Sequence, residues 1–177
     1  MNTGAWFVGV VLATALIGCS KAPEKAAERM IESALEKDGA KAKVDMSNNT
    51  LKITTTDASG QTRQMEMGAA KVTEADVGVL FYPGARSEEG ESTRIVGPDA
   101  ASYTIILHSA DAPEKVAGFY RDHLKSASQG KQMMDMAAGD GAMLMLMDDK
   151  SKSSIQVHIA KSEKGTDIRI TSSKAAK

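Results

Sequence analysis

Between Val44 and Thr171 several short runs alternate apolar with polar residues and are broken by turn residues. Val44 and Met46, then Leu51, Ile53 and Thr55, then Met65 and Met67 keep this period of two. Asn48-Asn49 and the stretch Asp57 to Gly60 provide turn chemistry between them. Such a pattern predicts strands with one face inward, and turns this short connect antiparallel neighbours. A second set follows in "STRIV", "SYTIILH", "KQMMDM", "AMLMLMD", "SSIQVHIA" and "TDIRIT", with Gly97-Pro98-Asp99, Gly139-Asp140-Gly141 and Glu163-Lys164-Gly165 as turns. "SSKAAK" reads as a frayed tail.

Two stretches have helical spacing instead. In "KAPEKAAERMIESALEKDGA" Pro23 suits a helix start, Glu24 and Glu28 suit its positive end, and Gly39 suits its stop. Ala27, Met30, Ile31, Ala34 and Leu35 would form the apolar face. In "DAPEKVAGFYRDHLKSA" Asp111 is placed to cap, Glu114 follows at capping-box spacing, and Val116, Phe119, Tyr120 and Leu124 line one face. The order α-β-β-β then β-β-α-β-β-β-β predicts an α+β fold, antiparallel sheets with helices packed on one face, in two small modules. The expected limits are a leader over 1–18, a short tether over 19–22, and a helix with a three-strand meander over 23–68. A connector over 69–91, an α+β module over 92–171 and a disordered tail over 172–177 complete the chain.

Where this body meets the N-terminus, charge disappears. Every Lys, Arg, Asp and Glu comes after residue 19, and Trp6 to Ile17, "WFVGVVLATALI", is almost wholly apolar. Twelve residues suit a signal-peptide core, whereas crossing ~30 Å of hydrocarbon takes about 20. The run ends at Leu16-Ile17-Gly18-Cys19, and Cys19 is the only cysteine, so no internal disulfide can form. This tetrad resembles the lipobox of bacterial lipoproteins. The resemblance implies cleavage after Gly18, a diacylglyceryl thioether on Cys19 and acylation of the new N-terminus. Each buried methylene adds about 0.8 kcal/mol, so two or three chains make attachment effectively permanent. Ser20, by resemblance to enterobacterial sorting, implies the outer membrane rather than the inner, with the body facing the periplasm. The competing reading is an uncleaved N-terminal anchor.

Composition narrows the partners. The net charge is -1 with 25% charged residues, and the basic ones are dispersed among the acidic, which does not favour nucleic acid. Tyr82-Pro83-Gly84-Ala85, together with Asp111-x-Pro113-Glu114-Lys115-Val116 and Phe119-Tyr120, resembles a group of uncharacterised bacterial envelope proteins. That resemblance implies no activity. Tyr82, Pro83, Gly84 and Ala85 form a candidate binding loop.

The anomaly is methionine, with 11 copies. Met143, Met145 and Met147 share one face of a strand, and Met133, Met134 and Met136 could lie opposite across the Gly-Asp-Gly turn. Three readings stand: core packing under the 112–126 helix, an exposed partner surface, or a soft-metal site for Cu(I) built from Met133, Met136, Met143, Met145 and Met147. His108, Ser109 and Asp111 are triad residue types, but adjacency in sequence is not relay geometry, and no G-x-S-x-G elbow occurs. His123 suits a helix C-terminus and His158 the polar side of its strand. No cofactor and no catalytic residue is expected. The leading expectation is a lipid-anchored, non-catalytic binding or assembly domain; the alternatives are Cu(I) handling and an enzyme whose site would join His108 to Asp111.

Overall fold

The computed structural model describes residues 21–36, 40–88 and 90–175. The expected leader over 1–18 and the Leu16–Cys19 tetrad, with Gly18 and Cys19, lie outside them. The elements are α1 (Lys21–Leu35), β1 (Lys41–Ser47), β2 (Thr50–Thr56), β3 (Thr62–Gly68), α2 (Glu74–Val77), β4 (Ser92–Val96) and β5 (Ala100–Ser109). They continue with α3 (Pro113–Ser126), β6 (Gln132–Ala138), β7 (Gly141–Asp148), β8 (Ser153–Ser162) and β9 (Gly165–Ala175). Three helices accompany one nine-stranded sheet of order β1-β2-β3-β4-β5-β9-β8-β7-β6. Every neighbouring pair is antiparallel. The fold is α+β.

Because β9 inserts between β5 and β8, the connection from β5 to β6 must cross three strands, and α3 makes that crossing. Directly paired residues share a face, so the register assigns each side chain. Val157 and Ile159, Ile168 and Ile170, and Leu144 and Leu146 all fall under α3, and each is nearly inaccessible to water. From α3 they meet Val116, Ala117, Tyr120 and Leu124. Each fully buried aliphatic side chain contributes about 1.5–3 kcal/mol, so this half carries most of the apolar stabilisation. The buried cluster draws on residues from Val72 onward and on none from β1 to β3.

The first three strands are held differently. The β1–β2 turn is Asn48-Asn49, with φ of 52° and 54°. Asparagine tolerates this left-handed conformation, and a two-residue turn of that hand matches the strand twist. Ser47 then pairs with Thr50 and the pairing alternates, so the amides of Ala42, Val44 and Met46 point away from β2. They would be orphan donors on an open edge. Instead α1 runs along β1, and Glu28 accepts from Met46 N–H at 2.8 Å, Glu32 from Val44 at 2.8 Å and Glu36 from Ala42 at 3.3 Å. Glutamates four apart on a helix advance about 6 Å per step, and outward amides two apart on a strand about 6.8 Å, so the two ladders nearly match.

Several expectations change. Met30, assigned to the apolar face of the first helix, is 75% exposed; the inward residues are Ala27, Glu28, Ile31, Glu32 and Leu35. Glu28 serves the neighbouring strand rather than the helix end. The connector over 69–91 contains α2, where Thr73 and Asp76 form a capping box and Gly78 closes the turn at φ 75°. The helix-cap role for Asp111 is not observed: α3 is N-capped by Ala112 without a side-chain bond, and Pro113 opens it. The tail expected to be disordered from 172 is strand as far as Ala175. Its backbone pairs with Ala100 to Tyr103, and Ser172 is buried with its hydroxyl donating to the Asp76 carbonyl at 3.2 Å. Its polar residues suit a strand whose partners supply hydrogen bonds rather than apolar contact. Gly165 is required where β9 begins, because at φ 135° an added Cβ would lie 2.2 Å from the Ser109 carbonyl oxygen.

Candidate functional site

The register sorts the methionines. Met134 pairs with Met145 and Met136 with Met143, while Met133 pairs with Leu146 and Asp135 with Leu144. Met133 therefore lies on the α3 side, packed against the core. Met134, Met136, Met143, Met145 and Met147 share the opposite face. Met134 and Met136 are each 41% exposed, and the other three are half-buried. Neither core packing under α3 nor the expected set of five thioethers describes this arrangement: Leu144 and Leu146 fill the core, Met133 leaves the set, and Met134 joins it.

The same face continues across β8 and β9. Met143 pairs with His158 and His158 with Arg169; Met145 pairs with Gln156 and Gln156 with Thr171. Two rows result, Met136–Met143–His158–Arg169 and Met134–Met145–Gln156–Thr171. The Gln156 Nε2 group donates to the Met143 sulfur at 3.4 Å, which turns that thioether toward β8. Both α2 and α3 lie on the other side, and among the described residues no helix packs over these rows. The alternation was legible from sequence, but His158 was not, because its partners come from register between distant strands.

On the same face, further along toward β5, His108 is committed. Its Nδ1 faces Asp167 at 2.9 Å and its Nε2 faces Glu91 at 2.7 Å. Both ring nitrogens can donate only in the imidazolium form, and the bonds to Asp167 and then Glu91 raise its pKa above the ordinary 6.5. Ser109 Oγ accepts from the Asp111 amide. Asp111 accepts from the Tyr82 hydroxyl at 2.6 Å and from Lys115 at 3.0 Å, contacts that lower its pKa. His108, Ser109 and Asp111 thus form no hydrogen-bonded relay, and the cavity beside His108 that the enzyme alternative would need is lined by Ser109, Ala110 and Asp167 rather than by Asp111.

The Tyr82–Ala85 segment is a turn closed by Ala85 N–H to the Tyr82 carbonyl at 3.0 Å, with Gly84 at φ 79°. Pro83 and Gly84 are exposed. Tyr82 is only 5% exposed, its ring edge-on to Phe119 at 5.2 Å and its amide donating to the buried Tyr120 hydroxyl at 3.0 Å. Its side chain pins the connector to α3, so only the tip of the expected binding loop can be touched from outside. His123 stacks on Phe119 at 4.3 Å and its Nδ1 faces the Phe119 carbonyl.

No helix among the described residues is long and apolar enough to cross a membrane. Groups of three or more His, Cys, Asp and Glu able to hold a metal are absent among the described residues. Neither a known protein family, nor a curated protein, nor a solved structure matches the chain.

Proposed function

We propose that this chain is a bacterial envelope lipoprotein, anchored through lipid on Cys19, whose α+β body binds or assembles with another envelope component and does no chemistry. The reading rests on one observation: an uncharged apolar run ends in Leu16-Ile17-Gly18-Cys19, and α1 begins at Lys21. With so short a tether the sheet would be held close to the lipid surface, facing the periplasm, with Ser20 favouring the outer membrane. The commitment of His108 and Asp111 to structural partners supports the non-catalytic part. Two modules remain our reading of the sheet: the meander of β1 to β3 with α1, and the α3-covered part that holds the buried cluster.

The test is the mature N-terminus. Mass spectrometry of membrane-extracted protein should find acylated Cys19 as the first residue, and Cys19→Ser should release the chain from membranes. Processing also removes Trp6, the only tryptophan, so the mature protein should emit as a tyrosine protein. A free thiol still linked to Gly18 would overturn the assignment.

A further inference from the structure

We propose that the open face at the β6–β7 end binds one Cu(I) ion through the thioethers of Met136 and Met143 and the imidazole of His158, with Met145 as fourth ligand. This goes beyond the lipoprotein reading and does not depend on it. The three principal groups come from three adjacent strands in a single row, β6, β7 and β8. Neighbouring strands lie about 4.8 Å apart, so an ion above the middle strand is within reach of side chains leaning in from both sides. Methionine has three rotatable bonds and can adjust its sulfur to the metal. Met145 stands one row along on that middle strand.

The chemistry of the donors selects the ion. Thioether and neutral imidazole are soft or borderline ligands without charge, which suits monovalent copper and disfavours Mg or Ca, whose sites are built from oxygen. No carboxylate occupies the Met136–Met143–His158 row: Asp135 is turned to the other face and pairs with Arg121, and Asp167, on the open face one row along, is bound to His108. Arg169 closes the row beyond His158, so the ion is placed over β7 and away from that charge. The Gln156 contact to the Met143 sulfur is weak and yields to a metal. Burial does not account for these methionines, since the core positions of β6 and β7 are filled by Met133, Ala142, Leu144 and Leu146.

The test is anaerobic competition for Cu(I) between the full chain in detergent and bathocuproine disulfonate. A Cys19→Ser background removes the thiol, and ¹³C-methyl NMR of the methionines is followed during titration with Ag(I). One equivalent should be retained, with methyl shifts at Met136, Met143 and Met145 and none at Met133. Met136→Leu/Met143→Leu and His158→Ala should each weaken binding at least about tenfold, equivalent to ~1.4 kcal/mol, while Met133→Leu should not. Unchanged affinity in the double variant, equal loss in Met133→Leu, or no retention against the chelator would each overturn the site. Met136, Met143 and His158 lie on the open face, so the folding of their variants is checked simply by an unchanged melting temperature.

Discussion

The glutamate ladder between α1 and β1 is the contact most open to direct attack. An edge strand with bare amides invites pairing with other chains, and Glu28, Glu32 and Glu36 answer its outward donors one for one. A hydrogen bond to a charged group contributes about 1.5–3 kcal/mol; Glu28 and Glu32 stay partly wet, so about 1 kcal/mol each is the working figure. Removing both as Glu28→Ala/Glu32→Ala should loosen docking of α1 by about 2 kcal/mol, or roughly 30-fold in the opening equilibrium. Alanine is the best helix former, so helix propensity pushes the other way and cannot mimic the effect. The assay is native-state hydrogen exchange. Amides of Val44 and Met46 should lose protection by that factor, whereas those of Lys43 and Asp45, which point into β2, should change little. Gln at both positions keeps an acceptor oxygen and should restore most of the protection. If Val44 and Met46 exchange as slowly in the double-Ala variant as in the parent, the ladder does not hold the edge.

Three further outcomes follow from the geometry. Leu144→Ala should cost about 2–5 kcal/mol of unfolding free energy, while Met145→Ala, on the open face one residue away, should cost well under half as much; chemical denaturation decides, and equal costs would reverse the face assignment. Tyr120→Phe removes the acceptor of the buried Tyr82 amide and should destabilise by about 1–3 kcal/mol in a thermal melt. His108 carries a raised pKa, so its pairing with Asp167 and Glu91 is fully stabilising below pH 6.5 and fades as pH rises through the folded value. The groups are partly exposed and the gain is under about 1 kcal/mol; His108→Gln should flatten the pH dependence of the melting temperature in that window, and an unflattened curve would contradict the pairing.

How far the sequence reaches is clear element by element. Short runs between turn residues located every strand, and "STRIV" matches β4 at both ends. Period-two alternation marks those with one dry face, such as Val44 with Met46 and Ile168 with Ile170, whereas "AMLMLMD" is apolar on both faces. α2 was missed although Thr73, Asp76 and Gly78 spell a cap and a stop; one helical turn is too short for periodicity to register. The end of β9 was missed because Ser172 to Ala175 are polar or small, and their place depends on backbone pairing with β5. Asp111 was misread because a local cap was the nearest explanation, while its observed partner Tyr82 is 29 residues away.

The sequence by itself determined that this chain makes short antiparallel strands with two amphipathic helices, and that its single thiol follows an uncharged apolar run. It also put Met143, Met145 and Met147 on one side of a strand. Only the tertiary structure decided which side that is. The crossing of α3 covers the face bearing Leu144 and Leu146, leaving the thioethers outside and next to His158. Alternation is a local property of the backbone, whereas the covered face and the cross-strand neighbours follow from strand order, which no single segment encodes.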